Sequence, residues 1–578
     1  MRWLRYLPIV HWLRRYTRAD LAHDLLAGTV TAILLVPQGM AFALLAGLPP
    51  QVGLYASIAP PILYALLGTS RTLAVGPVSV AALMVAHALG TQGVSGDYLS
   101  NALVLALLCG LILLVLGMLR LGVLVNFLSH PVLSGFTSAA AVLIIISQLP
   151  SLTGIQLPRA AELTQTPALL AEAITRNHPA TLLLGLFSVA LLVLMGGPLA
   201  RALRRLGMTT NTAGLIGKTG PLVVVGLATL TTVFLGLADT VAVVGAIPKG
   251  LPGLELGFLR ASTWLELLPS AALIALVGYV ESISIAKALA NRRRERVDPN
   301  QELIGLGAAN LGAALTGGMP VAGGFSRTMV NFNAGARTQM AALITAALVG
   351  LVALAFTPLL RDIPKTVLAA IIIVAVVRLI DLASLREAWH YDRTDAAALL
   401  VTFAGVLVLG IEQGLLAGIG ASLLTYVWRT GKPHIAVVGR VPGSEHFRNI
   451  NRHRVETWPE LLLVRVDENL YFANTAYLED YLMAKLAAAP AVRHLVLIAS
   501  AVNYIDVSAL ASLEKLVATL RDAGITVHLA EVKGPVMDRL QKSELLALLA
   551  PGKVFLSTHQ AVTELAGKTA LAIHRSVL

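Results

Sequence analysis

Long apolar runs separated by short polar or basic stretches set the pattern of the first 430 residues, as in Ala102 to Gly117, Val132 to Leu149, Thr181 to Met195, Leu222 to Leu237 and Ala341 to Phe356. A helix that crosses a bilayer needs about 20 mainly apolar residues. By that measure the chain is a polytopic α-helical membrane protein. The pattern predicts helices near 25–44, 52–68, 72–90, 101–121, 131–150, 179–197 and 213–237. It predicts a second set near 266–290, 301–315, 320–333, 339–358, 364–380, 395–411 and 413–430. Two sets of seven, 25–240 and 266–430, are what an inverted repeat gives, because an odd number of spans turns the second copy upside down. Beyond Arg429 the pattern changes. Residues 431–458 are polar and read as a linker, and 459–578 alternate apolar strands (Leu461 to Val466, Leu495 to Ile498, Ile525 to Leu529) with helical stretches, as a small α/β domain does.

Two of the predicted spans are interrupted at corresponding places. The third segment of the first half carries Gly76-Pro77 just before a short apolar helix, and the third of the second half carries Met319-Pro-Val-Ala-Gly-Gly-Phe-Ser-Arg327. Paired breaks of this kind point to a transporter binding site. A helix that starts inside the bilayer offers unpaired N–H groups and a positive dipole end to an anion. Ser79 and Ser326 add hydroxyl donors and Arg327 a fixed positive charge, with Val78 and Phe325 beside them in the same candidate site. Glycine and proline also serve tight helix crossing, but an arginine at that depth is costly unless it serves something.

Other intramembrane polar residues extend the candidate chemistry. Glu281, in the run Ala271 to Ala286, either takes up and releases a proton, offsetting the charge of an entering anion, or forms a permanent structural bridge with Arg327. Gln38 follows Pro37 in the first helix; its amide either joins the site or satisfies the carbonyl that the proline frees. His87 and Lys287 lie nearer segment ends, where snorkelling or interfacial roles are expected.

Composition narrows the class. A mean hydropathy of +0.76 with 56% hydrophobic and 13% charged residues excludes a soluble chain of this length. The net charge of +12 sits in short clusters beside apolar segments, so no nucleic-acid partner is expected. Arg120, the group Arg201, Arg204 and Arg205, and the group Arg292, Arg293, Arg294 and Arg296 each follow an even-numbered span. Positive-inside orientation then puts both termini in the cytoplasm. Residues 1–24 hold arginines and aromatics without a continuous apolar core, and read as a cytoplasmic lead-in rather than a cleaved signal. The single cysteine, Cys109, excludes an internal disulfide and a thiolate metal cluster. Neither enzymatic chemistry nor a metal or other cofactor is expected.

Val36-Pro-Gln-Gly-Met-Ala, Gly53-Leu-Tyr-Ala-Ser, Leu73-Ala-Val-Gly-Pro-Val-Ser, Val280-Glu-Ser-Ile-Ser-Ile-Ala-Lys, Asn300-Gln-Glu-Leu-Ile-Gly-Leu-Gly-Ala-Ala-Asn310 and Gly324-Phe-Ser-Arg-Thr-Met-Val-Asn331 together resemble the sulfate permease (SulP) family of anion transporters. The resemblance implies a core domain of helices 1–4 and 8–11, a gate domain of helices 5–7 and 12–14, an elevator-like movement and a homodimer in the cell membrane, here a bacterial inner membrane. It places the anion between helices three and ten, gives Gln38, Ser326 and Arg327 a share in binding it, and links Glu281 to proton coupling. Phe42 stands where some plant members have tyrosine, which removes one donor from the sulfate site. Sodium-coupled bicarbonate transporters of the same family also carry the acid. Here Ser282 and Ser284 offer oxygens to sodium but Ile285 does not, so the proton is the expected coupling ion and sodium the alternative.

The C-terminal region resembles a STAS domain. In Asn503-Tyr-Ile-Asp-Val-Ser-Ala-Leu510 the resemblance implies a phosphorylatable Ser508 and a docking site for a cytosolic protein. Helix capping by Asp506 and Ser508 is the simpler reading. The expected function is uptake of an inorganic anion, sulfate foremost, coupled to protons. The alternatives are sodium-coupled bicarbonate transport or anion exchange, and an anion-sensing membrane scaffold read out through the STAS domain.

Overall fold

Helix boundaries in the first repeat follow local stop and start chemistry. The structure, a computed structural model, describes residues 7–90, 97–123, 129–155, 178–208, 217, 219–566 and 572–574. After the short α1 (Pro8–Leu13), Thr17 and Asp20 form a reciprocal capping box that starts α2 (Arg18–Leu45) well before residue 25. The second span is split into α3 (Pro50–Tyr55) and α4 (Ala59–Leu67). Pro60 and Pro61 have no N–H to donate and fit only a first turn, so the helix restarts there. Gly53 lets α3 lie against α2, since a Cβ there would fall 1.9 Å from the carbonyl oxygen of Gly39. The repeat continues through β1 (Val75–Gly76), α5 (Ser79–Gly90), α6 (Tyr98–Met118), α7 (His130–Thr153), α8 (Pro179–Gly196), the short α9 (Pro198–Arg205) and α10 (Gly220–Phe234). The predicted start of the seventh span at 213–216, and residues 1–6 of the lead-in, lie outside the described residues.

The second repeat runs through α11 (Trp264–Arg293), α12 (Pro299–Leu315), β2 (Ala322–Gly323), α13 (Phe325–Asn333), α14 (Met340–Leu351), α15 (Thr357–Leu360), α16 (Lys365–Val376), α17 (Leu382–Tyr391), α18 (Arg393–Leu409) and α19 (Ile411–Gly431). A π turn, Val352–Phe356, joins α14 to α15. Pro358 cannot donate to the carbonyl one turn back, which is why the eleventh span changes pitch there. The third and tenth spans, expected to be helical from 72 and 320, are extended first and helical only from Ser79 and Phe325. Helices α9 and α17 were not expected, because they are short and rich in charge rather than long and apolar.

This is the seven-plus-seven arrangement of a core and a gate. In the core, α6 packs on α11 and α12, α4 on α12, and α2 on α13 and α14. In the gate, α7 packs on α8, α16 and α18, and α10 on α8.

A separate compact unit begins at Leu423, within α19. Its strands are β3 (Ile435–Arg440), β4 (Phe447–Asn449), β5 (Val455–Thr457), β6 (Leu461–Val466), β7 (His494–Ile498), β8 (Thr526–Ala530), β9 (Val554–Phe555) and β10 (Ala572–His574). They form one sheet in the order β10-β5-β3-β6-β7-β8-β9, with β4 on β3. β6 to β9 are parallel, joined by crossovers that include α20 (Thr475–Ala487), α21 (Val507–Asp522) and α22 (Gly534–Leu540). Residues 431–458 are therefore not a linker. β3 pairs antiparallel with β6, and Ile435 and Val437 pack on one face of the sheet while Ala436 and Val438 pack on the other. The arginines and histidines around these few apolar residues hid the alternation.

Candidate functional site

The two interrupted segments meet and hold each other by their backbones. β1 and β2 pair antiparallel, with Val75 opposite Gly323 and Gly76 opposite Ala322. The Gly324 N–H donates to the Ala74 carbonyl at 3.2 Å. Side chains satisfy what the strands leave open, as buried backbone must be satisfied. Thr328 Oγ1 accepts from the Ala74 N–H, Asn331 Nδ2 donates to the Thr72 carbonyl, and Gln339 Nε2 donates to the carbonyls of Ser70 and Leu73. Asn310 donates to and accepts from the backbone of Val321. Ser282 Oγ accepts from the Gly323 N–H at 2.7 Å and donates to the Gly278 carbonyl. Its hydroxyl is thus engaged in the scaffold. None of these scaffold roles was foreseen; the available signal was a polar residue within an otherwise apolar stretch.

Arg327 lies where the segments cross. It is 2% exposed, and its Nη1 donates to the Pro77 carbonyl at 2.5 Å. Nε and Nη2 are buried with no protein partner. The guanidinium fits because its neighbours are glycines: a Cβ on Gly324 would stand 3.0 Å from Nη2, and one on Gly76 would stand 3.3 Å from it. Glu281 and Arg327 form no salt bridge among the described residues. Glu281 is half-buried on α11. The permanent bridge weighed from sequence is absent.

The remaining candidates are distributed around this crossing. Ser79 begins α5, and Phe325 and Ser326 begin α13, so the N-termini of both half-helices belong to the segments that cross at Arg327. Val78 is buried, Ser79 is half-buried, Ser326 is exposed and Phe325 is 54% exposed. Gln38 and Phe42 are buried on α2, the helix that packs on both α5 and α13. Among the described residues Gln38 makes no hydrogen bond to the carbonyl freed by Pro37. The crossing thus brings together two helix N-termini and one buried cation with two unpartnered nitrogens, groups that favour negative charge.

In the second unit Asp506 caps α21, accepting from the Ala509 N–H at 2.7 Å and from the Phe472 N–H at 3.0 Å. Ser508 is exposed in the first turn. No group of three or more His, Cys, Asp or Glu residues suited to a metal occurs among the described residues.

Residues 21–402 match the sulfate permease family. The chain belongs to that family. Over residues 452–561 the chain matches the STAS domain. It is 36% identical over 572 residues to "Sulfate transporter 4.1, chloroplastic" of Arabidopsis thaliana, covering 96% of this chain and 82% of the relative. It is also 36% identical to a probable sulfate transporter of Mycobacterium tuberculosis, covering 96% and 97%. Among solved structures, the murine Slc26a9 anion transporter in its inward-facing state superposes with a TM-score of 0.88 at 25% identity, covering 97% of this chain and 94% of that one. The transmembrane domain of the cyanobacterial bicarbonate transporter BicA gives 0.59 at 26% identity, covering 70% and 99%. The protein is a multi-pass membrane anion transporter.

Proposed function

We propose that this protein is a secondary active transporter that takes up sulfate together with protons, with the anion bound between the N-termini of α5 and α13. The observation that carries the reading is the guanidinium of Arg327, buried with Nε and Nη2 unpartnered and cradled by two glycines. A buried cation left without an anion is unfavourable, so the site is built to be completed by a ligand. A dianion gains more than a monoanion from a fixed charge, because Coulomb energy scales with charge. The names of the plant and mycobacterial relatives support sulfate as the anion.

Glu281 is the proton carrier. It lies on α11, which packs on β2 and α13, so its protonation changes the net charge beside the cradle by one unit. Loading then proceeds with a neutralised acid, and release with a charged one that competes for Arg327. The core, with its two crossed segments, moves against the gate as an elevator, and the protein works as a homodimer in a bacterial inner membrane with both termini cytoplasmic. The STAS domain, through exposed Ser508, offers a regulatory contact for a cytosolic protein.

Radiolabelled sulfate uptake into proteoliposomes tests the whole reading, with bicarbonate, chloride and dicarboxylates as competitors under imposed proton or sodium gradients. Uptake driven by an inward proton gradient and displaced best by sulfate is expected. Uptake driven by sodium and displaced best by bicarbonate would replace this reading with the BicA-like one, and specific binding without flux would point to a sensor.

A further inference from the structure

Two buried carboxylates outside the anion cradle bind backbone in the same way. Glu302, on α12, is fully buried. Its Oε1 accepts from the N–H groups of Thr69 and Ser70 at 2.7 and 3.0 Å and from the Thr69 hydroxyl at 2.6 Å, and its Oε2 accepts from the Tyr64 hydroxyl at 2.6 Å. Asp24, on α2, is also fully buried. Its Oδ1 accepts from the N–H groups of Arg337 and Thr338 at 2.6 and 3.1 Å, and its Oδ2 accepts from the Thr338 hydroxyl at 2.6 Å and the Tyr16 hydroxyl at 3.2 Å. Each carboxylate therefore gathers two successive backbone N–H groups, one threonine hydroxyl and one tyrosine hydroxyl. Neither has a cationic side chain within salt-bridge distance among the described residues; the Arg337 guanidinium turns instead to Asp20 at 2.9 Å.

What they hold gives the pattern its meaning. Thr69 and Ser70 form the turn that leads into the extended segment of Gly76 and Pro77, and Arg337 and Thr338 form the turn that leaves α13. Both turns are also gripped through their carbonyls, Ser70 by Gln339 and Ala336 by Arg293, whose guanidinium stacks over Phe332. The outer ends of the two crossed segments are thus fixed to α12 and α2, while their inner ends meet at Arg327. Each turn therefore leads along a short stretch of chain to the cradle.

We propose that Glu302 and Asp24 are a matched pair of positioning residues, acting as hydrogen-bond acceptors rather than as proton carriers, that set the two halves of the anion cradle in register. This rests on the cradle reading given above. The acceptor role makes a specific demand. Glutamine at 302 keeps one oxygen for the three donors and can donate its amide to the tyrosine oxygen, and asparagine at 24 keeps one oxygen for the two N–H groups. Alanine supplies nothing and leaves buried N–H groups unpaired.

The test compares Glu302→Ala, Glu302→Gln, Asp24→Ala and Asp24→Asn in the full-length protein, with sulfate uptake kinetics and amide hydrogen exchange measured together. The alanine variants are expected to raise KM by about tenfold or more. Exchange should rise at residues 69–76 for Glu302→Ala and at 334–338 for Asp24→Ala. Glu302→Gln should return KM and local protection to within about threefold of wild type, and Asp24→Asn should recover most of both. Glutamine behaving like alanine would overturn the proposal by showing that charge matters. A wild-type KM with unchanged local exchange, or a uniform loss of protection with KM intact, would overturn it too. If the alanine proteins do not fold, Tyr64→Phe and Tyr16→Phe each remove one donor and should give the same localised changes at smaller size; their absence counts against the pair. Arg327→Ala runs alongside. Retained uptake in that variant would remove the cradle reading, while the exchange pattern at the two turns would still decide the latches.

Discussion

Replacing Arg327 by lysine separates charge from geometry. Both side chains are cationic, so if the site needed only a positive charge, anion affinity would hardly change. The arrangement around the guanidinium predicts otherwise. Nη1 is committed to the Pro77 carbonyl at 2.5 Å, and Nε and Nη2 are the buried donors left for the anion. Lysine brings one compact ammonium in place of a planar fork. Hydrogen bonds to charged groups contribute ~1.5–3 kcal/mol each, so loss of two corresponds to ~3–6 kcal/mol. At ~1.4 kcal/mol per decade that is at least about a hundredfold in Kd. The ammonium recovers part of this wherever it can reach the anion, which leaves about tenfold as the floor. Equilibrium binding of radiolabelled sulfate to purified protein measures the change, and thermal unfolding without ligand confirms that the variant is folded. Binding within about threefold of wild type would refute the geometric reading and leave only a diffuse electrostatic one.

Glu281→Gln should leave sulfate binding measurable but abolish the response of uptake to an imposed proton gradient; an unchanged response contradicts the coupling role. Gly324→Ala puts a Cβ 3.0 Å from the guanidinium; sulfate affinity should fall about tenfold at normal expression, and unaltered binding would mean that the arginine has room to move. In the STAS domain, His528 on β8 is held neutral by burial and by the nearby His494 and Lys553, which push its pKa down from 6.5 to about 4. A depressed histidine pKa means that the unfolded state binds the proton first, so this domain should lose stability as pH falls from 6.5 towards 4. Hydrogen exchange at 494–498 and 526–530 should rise over that window and should rise less in His528→Phe, which cannot take up a proton.

The membrane segments were legible because about 20 apolar residues in a row have few other uses, and the two breaks were legible because Gly76-Pro77 and Met319-Pro320 interrupt such runs. Arg327 stood out for the same reason. Its lack of an ion-pair partner did not, since whether Glu281 reaches it is a matter of three-dimensional distance. The carboxylate latches were invisible as pairs: Tyr64 and Glu302 are 238 positions apart, and Asp24 and Thr338 are 314 apart. Asp24 and Glu302 each lie near a helix end, where an acid is ordinarily solvated, so nothing local marked them as buried. The strands within 431–458 were missed because so few apolar residues carry them, and α17 because its large apolar residues, Leu382, Leu385, Trp389 and Tyr391, are interspersed with charge.

A structure of the protein with bound selenate, whose anomalous scattering locates an analogue of sulfate without ambiguity, tests the central claim most directly. The account predicts a single strong selenium peak within hydrogen-bond reach of Arg327 Nε or Nη2, between the first turns of α5 and α13. A peak elsewhere in the core, with the Arg327 guanidinium closed onto Glu281, would contradict it.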